Sequence, residues 1–359
     1  MNNAAVLFDI YSVVKIYAPD MPQGVRRHLC NQFGLFLKNP TGIPHDVDIV
    51  LELTKDASKM PAALRPMNVV FGFWPTEYDG TQAIAFHHQG RSDIVITFSD
   101  LIRVFYVDRP GISRKLYTVL LFACRLVFFR KGAVLLHAAS AAKGDHCVIL
   151  TGHRGAKKTM ILLTMLKHGW DYLSDDKCLL CREKVYLLQS FAAIREHHVE
   201  TLSFLKQTEP YRHLFTKWKG LSTRVGDFVE RHANKHLLPG LDRLVNPYRR
   251  LEIKELFPDR AILWSGKPSV VFLLLTGARL SSNRLSRSEG IENIHLTQNL
   301  AFGEFSSLED LLFLYDKRYA FDPLHIIDKN IGEPQFYKIV IPGDCDTEHI
   351  YGEILECLK

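Results

Sequence analysis

The sequence predicts an α/β fold with a β-rich region at its N-terminus. Residues 1–112 alternate short apolar runs with turn signals, whereas the chain from 113 onward mixes helical and strand patterns. A Gly-containing loop at 152–157 lies between a strand-like and a helix-like run, and a second short strand follows. The order strand, loop, helix, strand is typical of α/β proteins.

Composition indicates a globular protein of about two domains. The 359 residues are 47% hydrophobic and 23% charged, with 45 Lys and Arg against 39 Asp and Glu. This balance argues against disorder or low complexity for the whole chain. Seven cysteines without a dense framework favour a reducing compartment, and the N-terminus lacks the basic and apolar regions of a signal peptide. We therefore expect a cytoplasmic protein.

Membrane and nucleic-acid binding are not expected. The most apolar stretch, 116–129, is shorter than the roughly 20 residues of a membrane span and contains Arg125, so it predicts a buried helix. The pI of about 8.8 is mild for a nucleic-acid binder. Residues 195–250 hold 11 Lys and Arg against 6 Asp and Glu. Either a solvated helical face or a contact surface for an anionic partner fits that stretch.

The first 112 residues predict an accessory β-rich domain without a catalytic motif. The run 46–53 alternates apolar and polar residues, as a half-buried strand does. Two more runs flank Asp79-Gly80, a two-residue hairpin signal. The strand candidates are 6–18, 46–53, 69–74, 81–87, 93–98 and 102–107.

The remainder predicts a core at 113–290, which includes the basic helical segment 195–250, and a C-terminal α/β extension at 291–359. Ser306 and Glu309 have capping-box spacing and predict a helix start. The helix candidates are 113–129, 158–168, 306–315 and 347–358, and the strand candidates are 134–139, 146–151, 171–174, 178–181, 185–188, 269–275 and 336–341.

The loop from Gly152 to Thr159 is similar to the phosphate-loop (Walker A) pattern G-x-x-x-x-G-K-[ST]. Gly152, Lys158 and Thr159 match the pattern, but Lys157 stands where its second Gly belongs. Successive main-chain N–H groups and a helix N-terminus attract anions. The Lys158 ammonium can reach the terminal phosphates, and the Thr159 hydroxyl can bind Mg²⁺.

The Lys at position 157 affects the backbone conformation that the loop can adopt. A Gly at this position tolerates a positive φ, whereas a Lys would be strained by on the order of 1 kcal/mol. Alternatively the loop is reshaped, with Arg154 and Lys157 supplying extra positive charge. After the helix, the next strand ends in Asp175-Asp176, where a metal-binding or proton-accepting carboxylate belongs.

Three segments together resemble the HPr serine kinase/phosphorylase group, and more closely the HPr-kinase-related kinases found beside bacterial biosynthetic gene sets. The segments are Leu135–Ser140, Val148–Thr159 and Gly169–Asp176. The resemblance covers about 130–190 well and extends loosely to 280. It implies an HPr-kinase/phosphoenolpyruvate-carboxykinase-like P-loop core, with related kinases that can form homo-oligomers.

The resemblance also implies an ATP-dependent kinase that transfers the γ-phosphoryl group to a hydroxyl of a peptide or small molecule, which the basic segment suggests is anionic. Asp175 would be the general base, His137 would lie near the transferred group, and Arg195, or a later Arg such as Arg249 or Arg250, would contact it. Thr159 and Asp176 would hold Mg²⁺. The nucleotide would be bound by Gly152, His153, Arg154, Gly155, Ala156, Lys157, Lys158 and Thr159.

The sequence departs from the family pattern at three positions. Arg154 replaces a Ser, Lys157 replaces a Gly, and Ala193 stands where the family has a Glu, which Glu196 could substitute. A catalytically impaired, nucleotide- or phosphate-binding regulatory protein is therefore an alternative, and a nucleic-acid binder that uses 195–250 is a third.

Structural interpretations also remain for the individual residues. His137 could be a core histidine, Lys157-Lys158 a solvated helix start and Asp175-Asp176 a simple turn. Cys178 and Cys181 form one isolated pair, so a metal site there is not expected. Nor is one expected at His197 and His198, since adjacent side chains on a helix diverge.

Overall fold

The structure, a computed structural model, describes residues 5–40, 42, 44–61, 71–88, 91–194, 198, 201–202, 204–205, 249–302 and 321–359. Its described residues form two compact units, and the chain passes from the first to the second after Val134. Residues 321–323 belong with the first unit, and Leu324–Lys359 belong with the second. Both units combine helices and sheets, so the α/β class is confirmed.

The first unit is built on an eight-stranded sheet with the order β3-β1-β2-β4-β8-β7-β6-β5. The Asp79-Gly80 hairpin is confirmed, because Tyr78 pairs with Thr81 across it. The predicted single run at 6–18 is instead two strands joined by a turn in which Tyr11 and Ser12 have positive φ. The strands are Val6–Ile10 (β1), Val14–Ala18 (β2), Leu37–Lys38 (β3), Ile49–Leu53 (β4), Phe71–Tyr78 (β5), Thr81–His88 (β6), Arg91–Thr97 (β7) and Ile102–Tyr106 (β8).

The described part of this unit also contains two α-helices, α1 (Gln23–Phe33) and α2 (Ile112–Arg130), and two short 3-10 helices, Gly34–Phe36 and Ala57–Lys59. The predicted helix at 113–129 is thus confirmed, but it belongs to the first unit, and the division after Val134 replaces the expected boundary at 112. The physical reason is burial, since α2 is apolar on nearly all faces and packs on α1, β2 and β8.

The second unit contains a six-stranded sheet with the order β12-β10-β11-β18-β20-β19. β11 is almost wholly buried and apolar, as a central strand covered on both faces should be. The strands are Ala138–Lys143 (β10), His146–Gly152 (β11), Asp171–Ser174 (β12), Val270–Thr276 (β18), Ser281–Leu285 (β19) and Gln335–Ile341 (β20).

The pairing of these strands determines which chain ends meet. β11, β18 and β20 are mutually parallel. β10 is antiparallel to both β11 and β12, so β12 runs in the direction of β11. The carboxyl ends of β11, β12, β18 and β20 and the amino end of β10 therefore lie at one edge of the sheet, the usual position of ligand sites in α/β proteins. We call it the carboxyl edge.

Helices cover both faces of this sheet. Val148 and Leu150 of β11 belong to a core cluster with α3 and α7, while Thr151 contacts Thr297 of α5. The predicted helix at 306 lies outside the described residues, whereas Ser286 and Glu289 form a capping box that opens α5. The helices are Lys158–Lys167 (α3), Ile253–Leu256 (α4), Arg287–Ala301 (α5), Pro323–Ile331 (α6) and Thr347–Cys357 (α7).

Smaller sheets flank this core. One has the order β17-β14-β13-β9, and the other is the antiparallel pair β15-β16. None of the helices within the described ranges combines the length and the hydropathy that a bilayer crossing requires. The strands are Val134–Leu136 (β9), Cys178–Cys181 (β13), Lys184–Leu187 (β14), Phe191–Ile194 (β15), Arg249–Glu252 (β16) and Ser265–Gly266 (β17).

Candidate functional site

The loop between β11 and α3 leaves the sheet at Gly152. This residue has a φ of +155°, and a Cβ atom added to it would lie 2.4 Å from the Leu274 carbonyl oxygen. No side chain fits there without moving the backbone of β18. Gly155, in the middle of the loop, has a φ of +90° and is exposed. The structure therefore uses both loop glycines at positions where only glycine is unstrained.

Lys157 is strained in the way that the sequence predicts. Its backbone is left-handed, with φ +60° and ψ +16°, at the residue that precedes α3. Its ammonium donates to the carbonyl oxygens of Pro342 (3.3 Å) and Cys345 (2.9 Å). The expectation that Lys157 contributes charge to the phosphate cradle does not match this placement, because its side chain is bonded to the loop after β20.

Lys158 occupies the interior of the same loop. Its side chain is buried, and its ammonium donates to the carbonyl oxygens of Gly152 (2.8 Å) and His153 (3.0 Å). Burial lowers the pKa of Lys158 to about 8, although the Asp176 and Asp175 carboxyls oppose the change. Among the described residues, the hydrogen-bond partners of this buried cation are both carbonyl oxygens, and Lys158 belongs to the first turn of α3, where the N–H groups lack intrahelical partners. The arrangement attracts anions.

The other predicted loop residues differ in exposure. Arg154 is exposed, Ala156 is buried, and His153 is intermediate. The His153 ring lies beside the end of β18, with Nε2 3.1 Å from the Thr276 hydroxyl. The structure thus leaves Arg154 exposed on the loop, sets His153 against the end of β18 and places Ala156 in the core.

Asp175 lies directly beyond the end of β12 and faces α3. The Thr159 hydroxyl donates to its Oδ1 at 2.9 Å, which joins the first turn of the helix to the acidic pair. The residue is 2% exposed, and its Oδ2 has no hydrogen-bond partner among the residues that the structure describes. Such a buried acceptor is costly unless a ligand or ion completes it.

Asp176 has a different environment from its neighbour. Its backbone has a φ of +62°, and its carboxylate contacts the Lys177 ammonium and His137 Nδ1, the latter at 3.2 Å. His137 Nδ1 is also 2.9 Å from the Asp176 carbonyl oxygen. Because a carbonyl can only accept, Nδ1 carries the proton, and Nε2 is the ring nitrogen left for other contacts.

The pKa values of the two carboxyl groups are shifted in opposite directions. Burial and, after it, the adjacent Asp176 charge raise the pKa of Asp175 to about 6, although the hydrogen bonds from Thr159 and nearby amides act to lower it. For Asp176, burial alone would raise the pKa, but Lys177 and His137 hold it well below its ordinary value. Asp176 is thus a fixed anion near neutral pH, whereas Asp175 can exchange a proton there. Divergent acidity in neighbouring carboxyls is a feature of acid–base sites.

The third predicted catalytic residue, Arg195, lies outside the described residues, as does Glu196. The strand that leads toward them, β15, is described, and an amide of that strand, from Ala193, favours the ionised form of Asp175. Ala193 pairs with Arg250 across the β15-β16 ladder, so the Arg250 backbone lies close to this side of the site. The Arg250 guanidinium lies over the Phe191 ring at 4.8 Å.

The residues could hold a divalent cation but do not form a closed metal cage. The Thr159 hydroxyl and the two carboxyls are hard oxygen donors, the class that Mg²⁺ prefers. In the described part of the chain, no cluster of three or more His, Cys, Asp or Glu side chains is grouped to bind a metal. Both Cys178 and Cys181 are buried free thiols whose pKa is raised by burial.

The sequence did not single out the helix that borders the site on the opposite face. α5 contributes Thr297, Gln298 and, just after its end, Phe302. Thr297 Oγ1 is 3.1 Å from Thr151 Oγ1, Gln298 accepts a hydrogen bond from the His137 main chain, and the Phe302 ring lies edge-on to the His137 ring at 6.4 Å. These contacts join segments about 150 residues apart and leave no local pattern.

No model of a known protein family matches the chain, and no curated protein is significantly similar to it.

Proposed function

We propose that this chain is an ATP-dependent phosphotransferase with an HPr-kinase-like core, which transfers the γ-phosphoryl group to a hydroxyl of a peptide or small molecule. The main support for this proposal is the Asp175 carboxyl. One of its oxygens accepts a hydrogen bond from Thr159, and the other is buried without a partner among the described residues. It lies at the carboxyl edge, where the Gly152–Thr159 loop also begins.

Nucleotide binding is proposed to depend on Lys158 and α3. Polyphosphate oxygens would replace the carbonyl oxygens of Gly152 and His153 as partners of the Lys158 ammonium. That exchange favours binding, because hydrogen bonds between charged groups are stronger than those to neutral carbonyls. The exposed Arg154 would add charge at the mouth of the loop.

Thr159 and Asp176 are the residues proposed to hold Mg²⁺. Bound Mg²⁺ would neutralise charge on the phosphate oxygens. Asp176 suits a cation because its pKa is held low and it stays ionised. Thr159 links this position to Asp175 through its hydroxyl.

Asp175 is proposed to activate the acceptor. Its Oδ2 would take the hydroxyl proton while the acceptor oxygen bonds to the γ-phosphorus, and the bond to the bridging β–γ oxygen breaks to release ADP. A base with a pKa of about 6 is ionised at neutral pH yet basic enough to accept a proton.

The test is nucleotide-dependent stability. We expect Mg-ATP to raise the melting temperature of the wild-type chain. At a nucleotide concentration a hundredfold above Kd, the free energy of unfolding should increase by about 2.7 kcal/mol. Lys158→Ala should abolish this shift, whereas Lys143→Ala should keep it, because Lys143 is exposed and its ammonium donates to the His168 carbonyl at 3.0 Å, outside the loop. A wild type that shows no shift at millimolar Mg-ATP contradicts the proposal.

A second function is favoured by the strained Lys157 and by the absence of a carboxylate at Ala193. Both features fit a nucleotide-binding regulatory protein that does not turn over. Incubation with labelled ATP and lysate fractions split into peptides and metabolites separates the two: label transfer to a fraction supports the kinase, and binding without transfer supports the regulator.

A further inference from the structure

The C-terminal turns of α5 hold the amino end of β10 in place. Thr297 Oγ1 donates to the Ile294 carbonyl at 2.8 Å, which uses its only proton. The hydroxyl contact with Thr151 must therefore run from Thr151 to Thr297. Thr151 immediately precedes the Gly152 loop, and Ala138 pairs with it. This helix is thus bonded to the strand that leads into the phosphate-binding loop.

Gln298, the next residue of α5, is oriented by its contact with His137. Gln298 Oε1 accepts the His137 main-chain N–H. A main-chain N–H can only donate, so the amide oxygen must face His137 and the amide nitrogen must face away from that N–H. The side-chain amide orientation is therefore fixed by chemistry.

Within the described part of the chain, the amide nitrogen of Gln298 has no acceptor. The residue is 2% exposed, and its Nε2 has no hydrogen-bond partner among the described residues. Buried amide donors are nearly always paired, and an unpaired one costs free energy. The donor belongs to a side chain bonded to His137, whose ring nitrogen is 2.9 Å from the Asp176 carbonyl. Gln298 is therefore connected to the acidic pair through a single intervening residue, His137.

Two buried side chains of the second unit, one following β12 and one on α5, each have a polar atom without a hydrogen-bond partner among the described residues. Asp175 Oδ2 is a buried acceptor suited to a hydroxyl proton, and Gln298 Nε2 is a buried donor suited to an oxygen. From this pairing we infer that Gln298 has two roles: Oε1 positions His137, and Nε2 donates to an oxygen of the transferring γ-phosphoryl group. The inference rests on the proposed phosphotransferase function and adds the residue that distinguishes ATP from ADP.

Two variants separate the two roles. Gln298→Met removes both the acceptor and the donor at nearly constant shape. Gln298→Glu keeps an acceptor for the His137 N–H but, when ionised, lacks a donor. The control is Asn299→Ala, which removes the adjacent amide of α5, whose Nδ2 contacts His295 of the same helix at 3.1 Å.

The measurement is calorimetric affinity for Mg-ATP and for Mg-ADP at pH 8. Both Gln298 variants should bind Mg-ATP about ten- to a hundredfold more weakly, as expected for a lost hydrogen bond to a charged group, and Mg-ADP within about twofold of wild type. The Asn299→Ala variant should match wild type for both nucleotides. As the pH falls toward 5.5, the Gln298→Glu variant should recover relative to wild type at the same pH, because its protonated carboxyl regains a donor. Gln298→Met should not recover.

The outcomes are distinguishable. Wild-type-like Mg-ATP affinity in the Gln298→Glu variant, or equal losses for Mg-ATP and Mg-ADP, overturns the role of Gln298 and leaves the proposed function standing. A wild-type chain that binds neither nucleotide overturns the proposed function and this inference with it. Should Gln298→Met fail to fold, Gln298→Glu alone decides, because it retains the acceptor for His137.

Discussion

Asp93 in the first unit and Asp175 in the second are both buried aspartates, but their surroundings differ in whether a cation pairs with the carboxylate. Asp93 contacts two cations, Arg109 at 2.9 Å and Lys115 at 3.4 Å. Asp175 has a hydroxyl, a neighbouring carboxylate and one oxygen without a partner in the described chain. A paired buried charge supports the fold, whereas an unpaired one costs stability and indicates a functional site.

The same contrast holds for the cations. Lys131 in the first unit contacts the Asp48 carboxylate at 2.6 Å, close to the protein surface. Lys158 in the second unit is buried, and the hydrogen bonds of its ammonium go to main-chain carbonyls. The second unit thus buries both signs of charge without a direct ion pair to either group among the described residues, and the following changes test whether that difference is functional.

The largest expected effect comes from matched substitutions of the two aspartates. Asp175→Asn should reduce phosphoryl transfer by about 10²- to 10⁴-fold while Mg-ATP binding persists, because it removes the base and keeps an oxygen for the Thr159 hydroxyl. Asp93→Asn should leave transfer and binding unchanged. Turnover and calorimetry on both variants check this, and normal turnover by Asp175→Asn would show that Asp175 is not the base.

The two variants should also change stability with opposite signs. The native pKa of Asp175 is raised from 3.8 to about 6, so stability is lost as the pH rises from about 4 to 6, where the unfolded carboxyl is ionised and the folded one is still protonated. Asp175→Asn should therefore raise the free energy of unfolding at pH 8 by at most about 3 kcal/mol, with a smaller gain at pH 5. Asp93→Asn should lower it by about 1 kcal/mol, since its partners Arg109 and Lys115 are partly exposed and remain solvated without it. Urea denaturation at the two pH values measures both, and a destabilised Asp175→Asn at pH 8 contradicts the contrast.

The pH dependence of kcat/KM should reflect the same two groups of the second unit. Activity should rise about tenfold per pH unit below pH 6, where Asp175 becomes ionised, and fall above about pH 8, where Lys158 loses its proton. In a Lys158→Arg variant that retains activity, the alkaline fall should disappear because Arg stays charged. An unchanged alkaline limb in that variant would assign the fall to another group.

The smallest effect is expected at Lys157. Lys157→Gly relieves a left-handed backbone worth about 1 kcal/mol but loses the bonds to Pro342 and Cys345. Stability should change by less than about 1 kcal/mol, and Mg-ATP affinity should stay equal or improve. Lys157→Ala loses the bonds and keeps the strain, so it should be less stable than Lys157→Gly. A large loss of affinity in Lys157→Gly would make Lys157 a phosphate ligand.

Much of the fold could be predicted because the signals are local. The Asp79-Gly80 hairpin, helix α3, strand β18 and helix α7 all follow from turn residues or from hydrophobic periodicity. The β1-β2 turn could not be predicted, because Tyr11 and Ser12 are uncommon at positive φ; Asp9 Oδ1 supports them by accepting the Ser12 N–H at 2.8 Å. The domain boundary was missed because apolarity alone does not say which unit buries α2.

The candidate site likewise has a part that the sequence could predict and a part that it could not. Its contiguous part, the Gly152–Thr159 loop and the Asp175-Asp176 pair, could be located from motif spacing, and so could the positive φ of Lys157. The contact of Lys157 with Cys345 and the role of α5 could not, because they depend on how distant segments pack. Nor does residue type alone reveal that Asp175 and Asp176 differ in acidity, since burial and neighbouring charges cause that difference.

Gly152 couples the folding of the sheet to the shape of the loop. The atom-sized gap between its α-carbon and the Leu274 carbonyl allows β11 and β18 to remain paired up to the last residue before the chain turns away. A methyl group at that point would act as a wedge that separates the two central strands. The shape of the loop and the pairing of β11 with β18 would then be disturbed together, so no substitution at this position can change one and leave the other intact.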